Sequence, residues 1–176
     1  MLVVEPKASN QEFTLKIRIP GWAVGRPIPF STYTQTVPSK AEDIVLTVNG
    51  KKFSAVPGSD GFVAIKRLWN KGDKVQIVFP MDVKRIKADE RIAVNRGRLA
   101  VERGPLLFCA EGADNVSDVV NAILPADATF KVNEIKIQDH AFVSLTASTG
   151  LKLIPYGIWN NRKIANAMQT WFAVDR

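Results

Sequence analysis

The sequence predicts an all-β protein: an antiparallel β-sandwich, or two small ones in series, with one short helix. Three observations carry this expectation. Apolar and polar residues alternate over short runs, turn residues separate the runs, and apolar spacing of helical period is nearly absent. With 46% apolar residues in 176, the chain has enough material for a real core.

The elements follow in order. Phe13, Leu15, Ile17 and Ile19 alternate with Thr14, Lys16 and Arg18, a half-buried strand that ends at Pro20 and Gly21. The stretch from Arg26 to Lys40 holds Pro27, Pro29 and Pro38 and reads as a long surface loop. Ile44, Leu46 and Val48 repeat the alternation, and Asn49-Gly50 predicts a tight hairpin into Lys51 to Phe53. Phe62 to Leu68 is a further strand. Lys71 to Asp73 is a turn, and Val75, Ile77 and Phe79 alternate up to Pro80.

Strands are also expected over Met81 to Ile86, Arg98 to Glu102 and Leu106 to Cys109, with Pro105 marking an edge or a bulge. Asp114 to Leu124 is the helix-like piece. Val116, Val119, Val120 and Ile123 have helical spacing, and Asp114 or Asn115 could cap it. Five short strands then follow: 130–132, 135–137, 142–146, 151–154 and 168–174. The expected division is a first β-sandwich region over 1–90 and a second, shortened one over 91–176. The seam falls between Ile86 and Val94 or shortly after Glu111.

Several functions are set aside at this stage. No apolar run is long enough to span a membrane as a helix. The start, Met1 to Lys7, has neither a basic leader nor a long apolar run, so no signal peptide is expected. The net charge is +7, but the basic residues alternate with apolar ones on strands. That pattern describes a solvated sheet face better than a basic, aromatic-studded nucleic-acid surface. One Cys and one His cannot build a Cys/His zinc site.

Catalytic candidates are weak. Glu102 and Glu111 flank an Arg-Gly-Pro turn, and Asp89 and Glu90 lie upstream, but no spacing makes a pair converge; solvated strand ends are the simpler reading. His140 has no nucleophile elbow nearby and reads as an exposed loop residue. Cys109 sits in an apolar run, where a thiol behaves as a small hydrophobe. For binding, Trp159 is the best candidate, with Tyr156, Asn161 and Arg162 supplying a second aromatic and polar donors. Against this, Trp159 could simply pack in the core while Asn160 to Arg162 make a turn. Trp22 and Trp69 read as packing residues. Asn115-Val-Ser117 is formally a glycosylation sequon, though the string is common.

Several strings occur in a particular order: Phe13 to Ala23, Val48-Asn-Gly50, Gly61-Phe62 with Ile65 to Trp69, and Gly72-Asp73 before Pro80-Met81. Arg103-Gly-Pro105, Cys109 with Glu111, Asp114-Asn115, Ile154-Pro-Tyr156, Trp159 to Arg162 and Met168 to Trp171 complete the series. This succession resembles the carboxy-terminal part of the family 127 glycoside hydrolases, the β-L-arabinofuranosidase family. The resemblance implies a catalytic helical barrel on the amino-terminal side of the β region, with a cysteine nucleophile at a zinc site. It carries no catalytic role to Cys109. What it implies for this chain is a non-catalytic accessory region, inactive alone, that supports the barrel or helps the protein dimerise. Without the barrel, an apolar patch exposed at the seam should favour self-association. A free-standing carbohydrate-binding module using Trp159 and its neighbours is the alternative.

Overall fold

The computed structural model describes residues 1–28, 30, 32–115, 118–161 and 166–174. The strands, in chain order, are β1 (Leu2–Val4), β2 (Gln11–Arg18), β3 (Tyr33–Gln35), β4 (Val45–Val48), β5 (Lys51–Phe53), β6 (Phe62–Trp69), β7 (Asp73–Val78) and β8 (Val83–Ala88). They continue with β9 (Arg98–Arg103), β10 (Leu106–Glu111), β11 (Phe130–Ile137), β12 (His140–Ala147), β13 (Lys152–Pro155), β14 (Met168–Gln169) and β15 (Phe172–Ala173). The strand pairs are antiparallel, and the only helical pieces among the described residues are short 3-10 turns. No helix among these residues is long and apolar enough to cross a membrane.

The chain forms two compact units, one of residues 1–29 with 38–81, the other of residues 30–37 with 82–176. The sequence expectation drew its division after residue 90.

In the first unit a four-stranded sheet, ordered β1-β7-β4-β5, and the β2-β6 pair enclose one apolar core. The alternation read from sequence fixes which face each strand buries. Leu46, Val48, Val75, Val63 and Ile65 point inward, while Thr14, Lys66 and Gln76 face out. Trp69 is 0% exposed, stacks on Phe13 at 5.7 Å, and donates its indole N–H to the Phe13 carbonyl at 3.0 Å. Asn49 and Gly50 both take left-handed φ, 50° and 76°, as a two-residue hairpin turn requires. The Asn49 side chain then docks the turn on β7: its amide donates to Asp73 at 2.7 Å, and it accepts the Lys74 N–H at 2.7 Å.

The second unit is built on a sheet ordered β11-β12-β13-β10-β9-β8-β3. Strands β9 and β10 pair only near their shared turn. Beyond it, β14 pairs with the end of β10 and β15 with the start of β9, both away from that turn. Val101, Phe108, Ala110, Leu145, Leu153 and Phe172 form the centre of its core.

Four local expectations change. Part of the proline-rich stretch is a strand, since Tyr33, Thr34 and Gln35 pair with Ala88, Lys87 and Ile86. Three residues between prolines are too few to show a period. The 114–124 segment contains no α-helix among its described residues, only a 3-10 turn at Val119–Asn121. Asp118, rather than Asp114 or Asn115, caps it by accepting the Val120 N–H at 3.0 Å. The β-branched run there is a poor helix former, and Val119 and Leu124 enter the core from an irregular path. Pro105 marks neither an edge nor a bulge. It completes a two-residue turn with Gly104, whose φ is 58°, and β10 is a central strand. The two short strands expected over 130–137 are one continuous strand.

Candidate functional site

The segment carrying the candidate binding residues follows β13. Leu153, Ile154 and Pro155 are buried, and the chain then emerges into a 3-10 turn at Tyr156–Ile158. Asn160 has φ of 59°, a left-handed conformation that an amide side chain tolerates better than most. Its N–H donates to Glu111 Oε1 at 2.9 Å, and the Asn166 side-chain amide donates to the same oxygen at 3.1 Å. From the side, Gln138 at the β11–β12 turn donates to the Asn161 carbonyl at 2.7 Å. Glu111 and Gln138 thus hold the backbone around Trp159. On it Tyr156 is 43% exposed, Asn161 is exposed and Trp159 is half-buried. Arg162 lies outside the described residues.

Glu111, which holds the candidate segment, is the residue that sequence reasoning misjudged. It is 0% exposed, not a solvated strand end. The cause is its place at the end of central strand β10, where buried N–H donors need an acceptor. Glu102 is half-buried too. Burial pushes its carboxyl above the usual range, a hydrogen bond to Gln35 opposes the shift, and Oε2 has no partner.

Glu102 and Glu111 do not form a hydrolytic pair. Glu102 lies opposite Leu107, and Glu111 follows four positions further along β10. That spacing is roughly 13 Å along a strand, beyond the roughly 5–10 Å that paired glycosidase carboxyls need. Asp89 is engaged by Arg91, whose guanidinium and backbone N–H hold its carboxyl down to about 2. His140 is exposed at the start of β12. Cys109 is buried in β10 opposite Ile154. Among the described residues, no three His, Cys, Asp or Glu side chains gather to hold a metal ion. These donors do not fit a zinc site.

The other tryptophans are engaged in packing. Trp22 meets Phe79 edge-on at 5.4 Å, and Trp171 lies against Tyr33 at 5.4 Å. The sequon asparagine is also committed. Asn115 Nδ2 donates to the Glu111 and Lys152 carbonyls at 2.8 and 3.1 Å, and its Oδ1 accepts the Lys152 N–H at 2.9 Å.

Three of the cavities among the described residues open on the second unit. One of ≈ 360 Å³ includes Lys87, Glu90, Arg96 and Arg98 in its wall, and these charges are already engaged. Lys87 pairs with Glu90 at 2.8 Å, while Arg96 and Arg98 bond the carbonyls of Glu90 and Trp171. The other two, of ≈ 390 and ≈ 270 Å³, share Asp114 and Lys152. None of the three is lined by Tyr156, Trp159 or Asn161.

Residues 83–173 match the C-terminal domain of glycoside hydrolase family 127, and residues 1–81 match the family's β-L-arabinofuranosidase middle domain. The chain belongs to glycoside hydrolase family 127. A non-reducing end β-L-arabinofuranosidase of Bifidobacterium longum subsp. longum is 32% identical over 189 residues, covering 89% of this chain and 25% of that protein. Among solved structures, a family 127 β-arabinofuranosidase superposes with a TM-score of 0.82 at 32% identity, over 94% of this chain and 28% of its own. The family 127 β-L-arabinofuranosidase of Geobacillus stearothermophilus T6 gives 0.80 at 30% identity, over 98% and 28%. The family 127 chain described here thus spans little more than a quarter of these relatives. It corresponds to the middle and C-terminal domains, the non-catalytic portion of the family, and its described residues contain no helical barrel.

Proposed function

We propose that this chain is the accessory β region of a β-L-arabinofuranosidase-type hydrolase, bracing a catalytic helical barrel that supplies acid, nucleophile and zinc. The observation that carries the reading is the match of residues 1–81 and 83–173 to the middle and C-terminal domains of that family. The separation of Glu102 from Glu111 supports it, because a bracing region needs no paired carboxylates. On this reading the division stays close to the two sequence regions, and apolar surface meant for the barrel drives self-association when the barrel is absent. The test is to add this chain to a family 127 barrel produced without its β domains. Co-elution and a higher barrel melting temperature are expected; two folded proteins that ignore each other would overturn the reading.

A second reading is carbohydrate contact at Tyr156, Trp159 and Asn161, with Arg162, next in the sequence, as a further candidate. What favours it is the anchoring of their backbone by Glu111 and Gln138, which holds an exposed aromatic and amides in place. Titration of tryptophan fluorescence with L-arabinofuranose oligosaccharides should then saturate, and Trp159→Ala should abolish the change. A flat titration of folded protein would remove this reading.

A further inference from the structure

We infer that the outer face of β11, β12 and β13 is a binding groove for a neutral saccharide, separate from the Tyr156–Trp159 segment. The strand register builds it. Asn133 lies directly opposite Ser144, and Thr146, two residues along β12, lies opposite Lys152 on β13. Residues so related share one face, the reverse of the face on which Leu145 and Leu153 enter the core. These four side chains line the ≈ 270 Å³ cavity with Asp114, over a floor that includes Ile135 and Ile154. The ≈ 390 Å³ cavity adjoins it through the shared Asp114 and Lys152, lengthening the cleft toward Thr149 and Gly150.

The open hydrogen-bonding capacity identifies the ligand class. Ser144 is only 7% exposed and lines the cavity, yet no described protein group bonds its hydroxyl. The Asn133 amide nitrogen donates to the Thr146 hydroxyl at 3.0 Å and the Lys131 carbonyl at 3.3 Å. That leaves Asn133 Oδ1 to accept and the Thr146 hydroxyl proton to donate. Hydroxyl donors and an amide acceptor side by side suit a ligand whose own groups do both, as sugar hydroxyls do. The one acidic and one basic residue shared by the cavities give no net charge to select an ion. The isoleucine floor offers apolar contact to the C–H face of a sugar ring.

The inference rests on the proposed place in a carbohydrate-active enzyme, but not on the Trp159 reading. The test is amide-shift mapping of the full chain with L-arabinofuranose and xylose oligosaccharides, with galacturonate oligosaccharides as the acidic comparison. Saturable shifts at Asn133, Ser144, Thr146 and Lys152 with a neutral sugar are expected, and they should persist in Trp159→Ala. The double variant Asn133→Ala/Ser144→Ala should bind about tenfold more weakly, as loss of two hydrogen bonds implies. Should that variant fail to fold, the isosteric Thr146→Val should still weaken binding. No shifts at these residues, shifts confined to 156–161, shifts with the acidic sugar alone, or unchanged affinity in a folded variant would each overturn the groove. Groove shifts in a chain that ignores the barrel would instead sink the bracing role alone.

Discussion

Asp73 in the first unit and Glu102 in the second, one carboxylate of each, meet burial in opposite ways. In the first, the carboxylate of Asp73 is 8% exposed but fully engaged: the Asn70 N–H donates to it at 2.9 Å and the Asn49 amide at 2.7 Å. Those bonds hold its carboxyl below the ordinary 3.8. In the second, Glu102 is half-buried with one oxygen unpartnered, and its carboxyl moves up. The first unit has one local hairpin, β4–β5, and joins β1 to β7, β4 to β7 and β2 to β6 across distant sequence around an apolar core. The second, also built on an apolar core, recruits β3, β14 and β15 from distant sequence, and Glu111 ties the Asn160 N–H and the Asn166 amide to β10.

The contrast breaks most visibly where each unit is most committed. Trp69→Ala should cost about 4 kcal/mol, the usual scale for emptying a buried aromatic site. Chemical denaturation should show that loss, with amide exchange rising first in residues 1–29 and 38–81. Glu111→Ala should cost about 3 kcal/mol, because it removes the buried charged acceptor that the Asn160 N–H and the Asn166 amide share. Its signature is early exchange at Asn160 with the first unit's amides still protected.

Legibility follows the same divide. Strand β2, the Asn49-Gly50 hairpin and the alternation of β7 were readable because period and turn chemistry are local. Strand β3 was not, since its evidence is its pairing with β8. The 114–124 segment misled because valine spacing imitates a helix while, among its described residues, Val119 and Leu124 are the ones buried in the core. The Glu111 carboxylate looked solvated because nothing local shows that β10 is central. Tyr156, Trp159 and Asn161 were legible as an unusual string. Asn133, Ser144 and Thr146 are ordinary strand residues until the register brings them together.

Asn115→Ala should be milder, about 2 kcal/mol, for the loss of three backbone contacts. The same contacts mean that folded chain should leave Asn115 unmodified by an oligosaccharyltransferase, whereas denatured chain becomes a substrate; mass spectrometry of both checks it. The subtlest contrast is in pH. Asp73 has a lowered folded value, so its stabilisation is complete above 3.8 and is lost as pH falls through the folded value. Glu102 has a raised one, so its contribution is present below 4.5 and is lost as pH rises through the folded value. Asp73→Asn should therefore flatten the acid side of the melting-temperature profile, and Glu102→Gln the side toward neutrality.

The most direct measurement is hydrolysis of an aryl β-L-arabinofuranoside by the purified, folded chain. An accessory β region predicts no turnover above background, with or without added zinc. Turnover by this chain alone that disappears in Glu102→Gln or Glu111→Gln variants shown to remain folded would contradict the account.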